Sequence, residues 1–96
     1  MFTTEHDYKG FMQDFRIADM FGESAIRDTY RRCKEWKDNV EYWASLVMTL
    51  NHLIWWWHGK NEARAKLYDE LWRDADAWGR EHFDGKDAEY YFNFLD

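Results

Sequence analysis

His52, His58 and His82 stand among 19 acidic residues, a mixture of imidazole and carboxylate that could bind a metal. Helical metal sites need those groups on one face, as in His-x-x-x-His or Glu-x-x-His spacing. His52 and His58 are six residues apart and point to different sides of one helix, so no metal site is expected. Cys33 would be a nucleophile only as a thiolate. Mid-helix on an apolar stripe, with no helix N-terminus to lower its pKa, it reads as an inert core thiol. Glycine-rich phosphate loops, nucleophile elbows and Walker-type motifs are absent from the sequence. The expectation is no catalytic residue, no cofactor and no enzymatic activity.

The residues suited to binding are more numerous. Asn51 lies between two apolar stripes of one helix, where its amide must find partners or incur a desolvation cost of roughly 1–3 kcal/mol. It reads either as a hydrogen bond to a neighbouring helix end or as a reader of a polar ligand edge beside Trp55. In the run Trp55-Trp56-Trp57, consecutive helical residues point about 100° apart, so at least one ring is expected to face solvent. Trp56, on the side of Ser45 and Thr49, is the candidate, and exposed tryptophans are enriched at binding hot spots. Arg27, Arg31, Arg32 and Lys34 form the basic side of another helix, and Tyr30 of the same helix is a further candidate for a ligand pocket. Forked guanidinium donors suit a phosphate, and they equally suit pairing with an acidic helix or a second subunit.

These groups need a scaffold, and 96 residues suffice for one core, hence one domain spanning 1–96. A chain that is 46% hydrophobic and 21% aromatic, with seven tryptophans, can bury unusual area per residue for its length. The net charge of −6 argues against general nucleic-acid binding, because phosphate neutralisation by Lys and Arg supplies most of that affinity. No apolar run approaches the roughly 18 residues of a membrane span, a lone cysteine cannot close an intramolecular disulfide, and Met1–Gly10 lacks a basic-then-apolar leader. The expected setting is a reducing cytoplasm.

Helical periodicity runs throughout. A first helix is expected from Thr4 to Phe21, burying Tyr8, Phe11, Phe15 and Ala18. A second, from an N-cap at Ser24 to about Lys37, buries Ile26, Tyr30, Cys33 and Trp36. Asp38 and Glu41 resemble a capping box opening the longest helix, which runs to His58 over roughly 30 Å. Its main stripe is Trp43, Leu46, Val47, Leu50, Leu53, Ile54 and Trp57, with Ala44, Met48 and Trp55 as the second. Asn61 caps a fourth helix to about Phe83, with Tyr68, Leu71, Trp72, Ala75, Trp78 and Gly79 inward and an acidic outer face. Lys86 to Phe94 completes the chain as a short helix, and Gly22, Gly59 and Gly85 sit where helix C-caps belong. The fold class is all-α, a compact bundle of four helices with a short C-terminal helix.

The segments IAD-x-FG, AIRDTY, EWK, LNH-x-IW and LYDELW resemble a family of small uncharacterised proteins encoded by bacteriophages and prophages, across most of the chain. Trp56 stands where that family carries a polar residue. The resemblance brings no established activity, but it implies a setting in which small accessory proteins act by binding. The leading expectation is a stoichiometric inhibitor that binds a host anti-phage defence protein. The alternative is a sponge sequestering an anionic nucleotide in a pocket of Arg27, Tyr30, Arg31, Asn51 and Trp55. A structural helical homo-oligomer is the third.

Overall fold

Two glycines set the first corners of the chain. Gly22, at φ +109°, occupies the left-handed region that favours glycine. Its N–H donates to Ala18 O at 3.1 Å, closing α1 (Thr4–Phe21), while its carbonyl accepts from Ile26 N at 3.1 Å, opening α2 (Glu23–Cys33). One residue ends a helix and caps the next, so Ser24, the expected cap, lies inside α2. Gly59, at φ +85°, follows the C-cap His58 of α3 (Val40–Trp57). Two residues later the side chain of Asn61 accepts from Arg64 N and starts α4 (Glu62–His82) as expected. Gly85 is a correction: α4 is capped by Phe83, and Gly85 is the first residue of α5 (Gly85–Leu95).

This computed structural model describes residues 4–33 and 39–96, with side chains from residue 9. The described chain is 89% helix without strands, in five helices forming one compact globule. Tyr8, Lys34, Trp36, Lys37 and Asp38 of the sequence reading lie outside the described side chains. The N-cap of α3 is Asn39, whose Oδ1 accepts from Glu41 N at 2.8 Å and Tyr42 N at 3.4 Å. It satisfies two amides that an N-terminus otherwise leaves unpaired.

Helix α3 is the axis, packed on by α1, α4 and α5, while α2 packs on α1 and α4. From Trp43 to Leu50 every residue but the half-buried Met48 is buried, so two separate stripes are not distinguished there. Ser45 and Thr49 are buried too, against the exposed side expected for them. Each hydroxyl donates back into its own helix, Ser45 Oγ to Glu41 O at 3.0 Å and Thr49 Oγ1 to Ser45 O at 2.7 Å. Neither then carries an unpaired donor into the core. Phe15, Ile26, Tyr68 and Leu71 close the core from the other helices, with Met12 an addition to the expected α1 face.

Trp43 joins three helices. Its Nε1 donates to Ala75 O at 2.7 Å, its ring sits edge-on to Phe92 at 5.6 Å and tilted against Phe83 at 5.8 Å, and its indole fills the space over Gly79. Burying roughly 200 Å² of indole at about 25 cal/mol per Å² contributes ~5 kcal/mol. At the opposite end, Asp19 in the last turn of α1 receives Arg64 Nη1 at 2.8 Å and Tyr68 OH at 2.7 Å. An acid at a helix C-terminus and a base in a first turn each oppose the helix dipole, and here each neutralises the other. Their side chains are only 13% and 18% exposed, so removing either would strand a poorly solvated charge.

A glycine-to-alanine change inside a helix ordinarily stabilises by about 0.5–1 kcal/mol. Gly79→Ala is expected to reverse that sign, because the added methyl would overlap the Trp43 indole. A loss of about 1–3 kcal/mol in urea denaturation is the expected result. A variant as stable as the parent would show that α4 does not hold Trp43 this closely.

Candidate interaction site

In its last turns helix α3 is buried on one side only, through Leu53, Ile54 and Trp57. Beyond Leu50 its buried positions thin out, and Asn51, His52, Trp55, Trp56 and His58 are exposed. Arg64 hydrogen-bonds Asp19 and lies over the Trp57 ring at 5.4 Å, which brings the ends of α1 and α3 and the start of α4 to one end of the molecule. Trp55 is 67% exposed and rests edge-on against His58 at 5.9 Å. Trp56 is 53% exposed, with Lys60 Nζ 3.5 Å from its ring centroid. Trp57 is half-buried, and its Nε1 is buried without a hydrogen-bond partner among the described residues. Phe21 adds a further exposed apolar side chain at the end of α1.

The lysine over Trp56 is a cation–π contact that leaves the other ring face open. Glu62 braces the turn beneath, accepting from Gly59 N at 2.5 Å and facing His58 Nδ1 at 3.3 Å. The arrangement is a pair of large apolar rings on a rigid helix end, with cations beside them. That is the composition of a protein-binding hot spot.

The expected ligand pocket is only partly assembled. Arg27, Tyr30 and Arg31 line one cleft of about 390 Å³, but its remaining wall is Glu70, Leu71 and Asp74. Asn51 and Trp55 do not line it. Asn51 is exposed on the solvent side of a turn whose Leu50 and Leu53 are buried, so the desolvation argument for a buried amide does not apply. Within the cleft, Arg27 pairs with Glu70 at 2.7 Å and Glu23 at 3.1 Å, and Arg31 with Asp28 at 3.0 Å. Tyr30 donates to Asp74 Oδ2 at 2.5 Å. A phosphate entering here would have to displace carboxylates from the guanidinium groups it needs.

A second open groove, of about 570 Å³, runs between α1 and α3. Met12, Ile17 and Met20 supply its apolar lining, Lys9 and Arg16 its cations, and His52 is the lining residue from α3. No carboxylate among the described residues lines it. Sequence reasoning missed it because His52 is far from α1 in the chain. The signal present was the i, i+7, i+11 spacing of Lys9, Arg16 and Met20 on one face of α1.

The titratable groups are set for structure. Burial pushes the Cys33 thiol up to about 12 and keeps it protonated at neutral pH. His82 stacks on Trp78 at 4.5 Å. No cluster of three or more His, Cys, Asp or Glu among the described residues could hold a metal. No described helix is long and apolar enough to cross a membrane.

No protein-family model matches the chain, and no curated protein or solved structure matches it either.

Burial, reinforced by hydrogen bonds to Asp74 and Asp19, raises the hydroxyls of Tyr30 and Tyr68 well above their usual value near 10. Both keep their protons in the folded state where the unfolded chain releases them. Their contribution is complete below pH 10 and is lost above it, by roughly 1.4 kcal/mol per tyrosine for each pH unit. Denaturant midpoints followed to about pH 11 should fall in the parent and fall less in Tyr30→Phe/Tyr68→Phe. Parallel curves for the two proteins would show that the hydroxyls ionise in place.

Proposed function

We propose that this protein is non-enzymatic and acts by stoichiometric capture of a partner protein at the tryptophan-bearing end of α3. The observation that carries the reading is the exposure of Trp55 and Trp56 on a helix whose preceding turns are almost wholly buried. Large apolar rings left in water on a rigid support have little conformational entropy to lose on binding. Lys60 and His58 supply the polar rim.

The setting comes from the phage-like segments: an accessory protein in the bacterial cytoplasm that inhibits an anti-phage defence protein. The finer architecture belongs to the same reading, α1 to α4 as a four-helix bundle with α5 laid across Trp43. Nucleotide sequestration ranks second. Arg27, Tyr30 and Arg31 do converge, but on the carboxylates of Glu70 and Asp74.

Affinity capture from bacterial lysate with the parent protein and with Trp55→Ala/Trp56→Ala tests the reading. A protein retained in one-to-one ratio by the parent and lost from the variant, with thermal midpoints alike, is the expected result. Equal retention by both, or a nucleotide found in native mass spectra of the parent, would sink it.

A further inference from the structure

The tryptophan-bearing end of α3 continues sideways into the groove along α1. His52, which closes that groove on the α3 side, precedes Trp55 and Trp56 by three and four residues and shares their outward face. Ile17 and Met20 line the groove and are both at least half exposed, so its apolar lining is open to solvent. With the two rings they place four large apolar side chains in water on two neighbouring helices. Apolar surface on that scale marks contact with another macromolecule.

Shape selects a helix to fill it. From Lys9 to Met20 the groove follows α1 for roughly 16 Å, about three helical turns. An amphipathic helix seats its apolar stripe in such a furrow through anchors at i, i+3, i+4 and i+7. Met12 and Met20 are unbranched thioethers, which adapt to the side chains of an incoming stripe.

Charge selects the sign of that helix. Arg16 lines the groove and Lys60 lies over the Trp56 ring, and neither has a carboxylate partner among the described residues. The carboxylates of this end are engaged elsewhere: Asp19 with Arg64 and Tyr68, Glu62 with Gly59 N–H and His58, Glu23 with Arg27. Asp14 and Asp28 face the separate cleft between α1 and α2.

We propose that the partner captured at this end presents an amphipathic helix, its apolar stripe against Ile17, Met20, Trp55 and Trp56 and its flanking Asp or Glu residues against Arg16 and Lys60. The proposal rests on the capture reading and names the chemistry of what is captured. An anionic bilayer has the same sign as such a helix, but a chain of net charge −6 is repelled by it, and a flat surface does not enter a furrow.

Fluorescence anisotropy with two labelled synthetic helical peptides tests the proposal on the whole chain. Both peptides carry the same leucine stripe at i, i+3, i+4 and i+7, one flanked by Glu and the other by Lys. At low salt the parent should bind the Glu peptide about tenfold more tightly, the scale of two exposed ion pairs exchanged for two repulsions. The difference should shrink as salt is raised. In Arg16→Glu/Lys60→Glu the order should invert, and tighter binding of the Lys peptide is a gain that a misfolded variant could not produce. Equal affinity of the parent for the two peptides, a preference that survives the charge reversal, or no binding of either would overturn the proposal. So would co-sedimentation of the parent with phosphatidylglycerol vesicles, or a parent dimer in sedimentation velocity that Met20→Asp dissolves, since the surface would then belong to a membrane or to a second copy. Capture itself is read separately in the lysate experiment. A protein retained there by the parent and lost from the tryptophan variant, without any charge preference here, would remove the acidic helix and leave the capture standing.

Discussion

The fit of the Trp43 indole over Gly79 is the contact on which the rest of the molecule is arranged. A helix buried on all sides needs neighbours that come close, and a glycine is the residue that lets a helix backbone approach a tryptophan ring. The hydrogen bond from the indole to Ala75 O fixes the register of α3 against α4. Phe83 and Phe92 rest on the same ring, so α4's C-cap and the C-terminal helix share one anchor on α3. A change at this contact is felt by three helices at once.

The electrostatic design is economical in a different way. In the acidic second half Asp69, Glu70, Asp76 and Asp96 are committed to guanidinium groups, within α4, across to α2, or from α4 to the C-terminus. Buried charge is confined to the Asp19–Arg64 pair, and Tyr68 adds a hydroxyl to the same carboxylate. Exposed charges of both signs stand side by side on the outer faces, Arg27 and Arg31 beside Glu23 and Asp28 on α2, and Arg73 beside Asp69 on α4. A net charge of −6 therefore describes the sum and misrepresents the surface.

Much of the helical framework was legible because it rests on local rules. Periodicity marked α1 and α4, Asn61 announced the start of α4, and Gly22 and Gly59 marked corners. The details that went astray depended on groups distant in sequence. Gly22 took the cap role from Ser24 because one residue can serve two helices. Asn51 looked buried because a helical wheel does not show which side of a helix its neighbours take. Ser45 and Thr49 looked solvent-facing because they share a side with Trp56, whereas the helix backbone itself accepts their hydroxyl hydrogen bonds in the core. The cleft of Arg27, Tyr30 and Arg31 was visible as a stretch of side chains, but its opposite wall, 40 residues away in the chain, was not.

The change along α3 from burial nearly all round to burial on one side divides one helix into regions under different evolutionary rules. Over Trp43 to Leu50 nearly every side chain touches the interior, so drift there is limited to what the core accepts. Further along, the same backbone carries Trp55 and Trp56 in water, where a change of side chain removes little of the core. That surface can thus vary while the fold stays still. The rigidity needed to present that surface is inherited from the part that cannot vary.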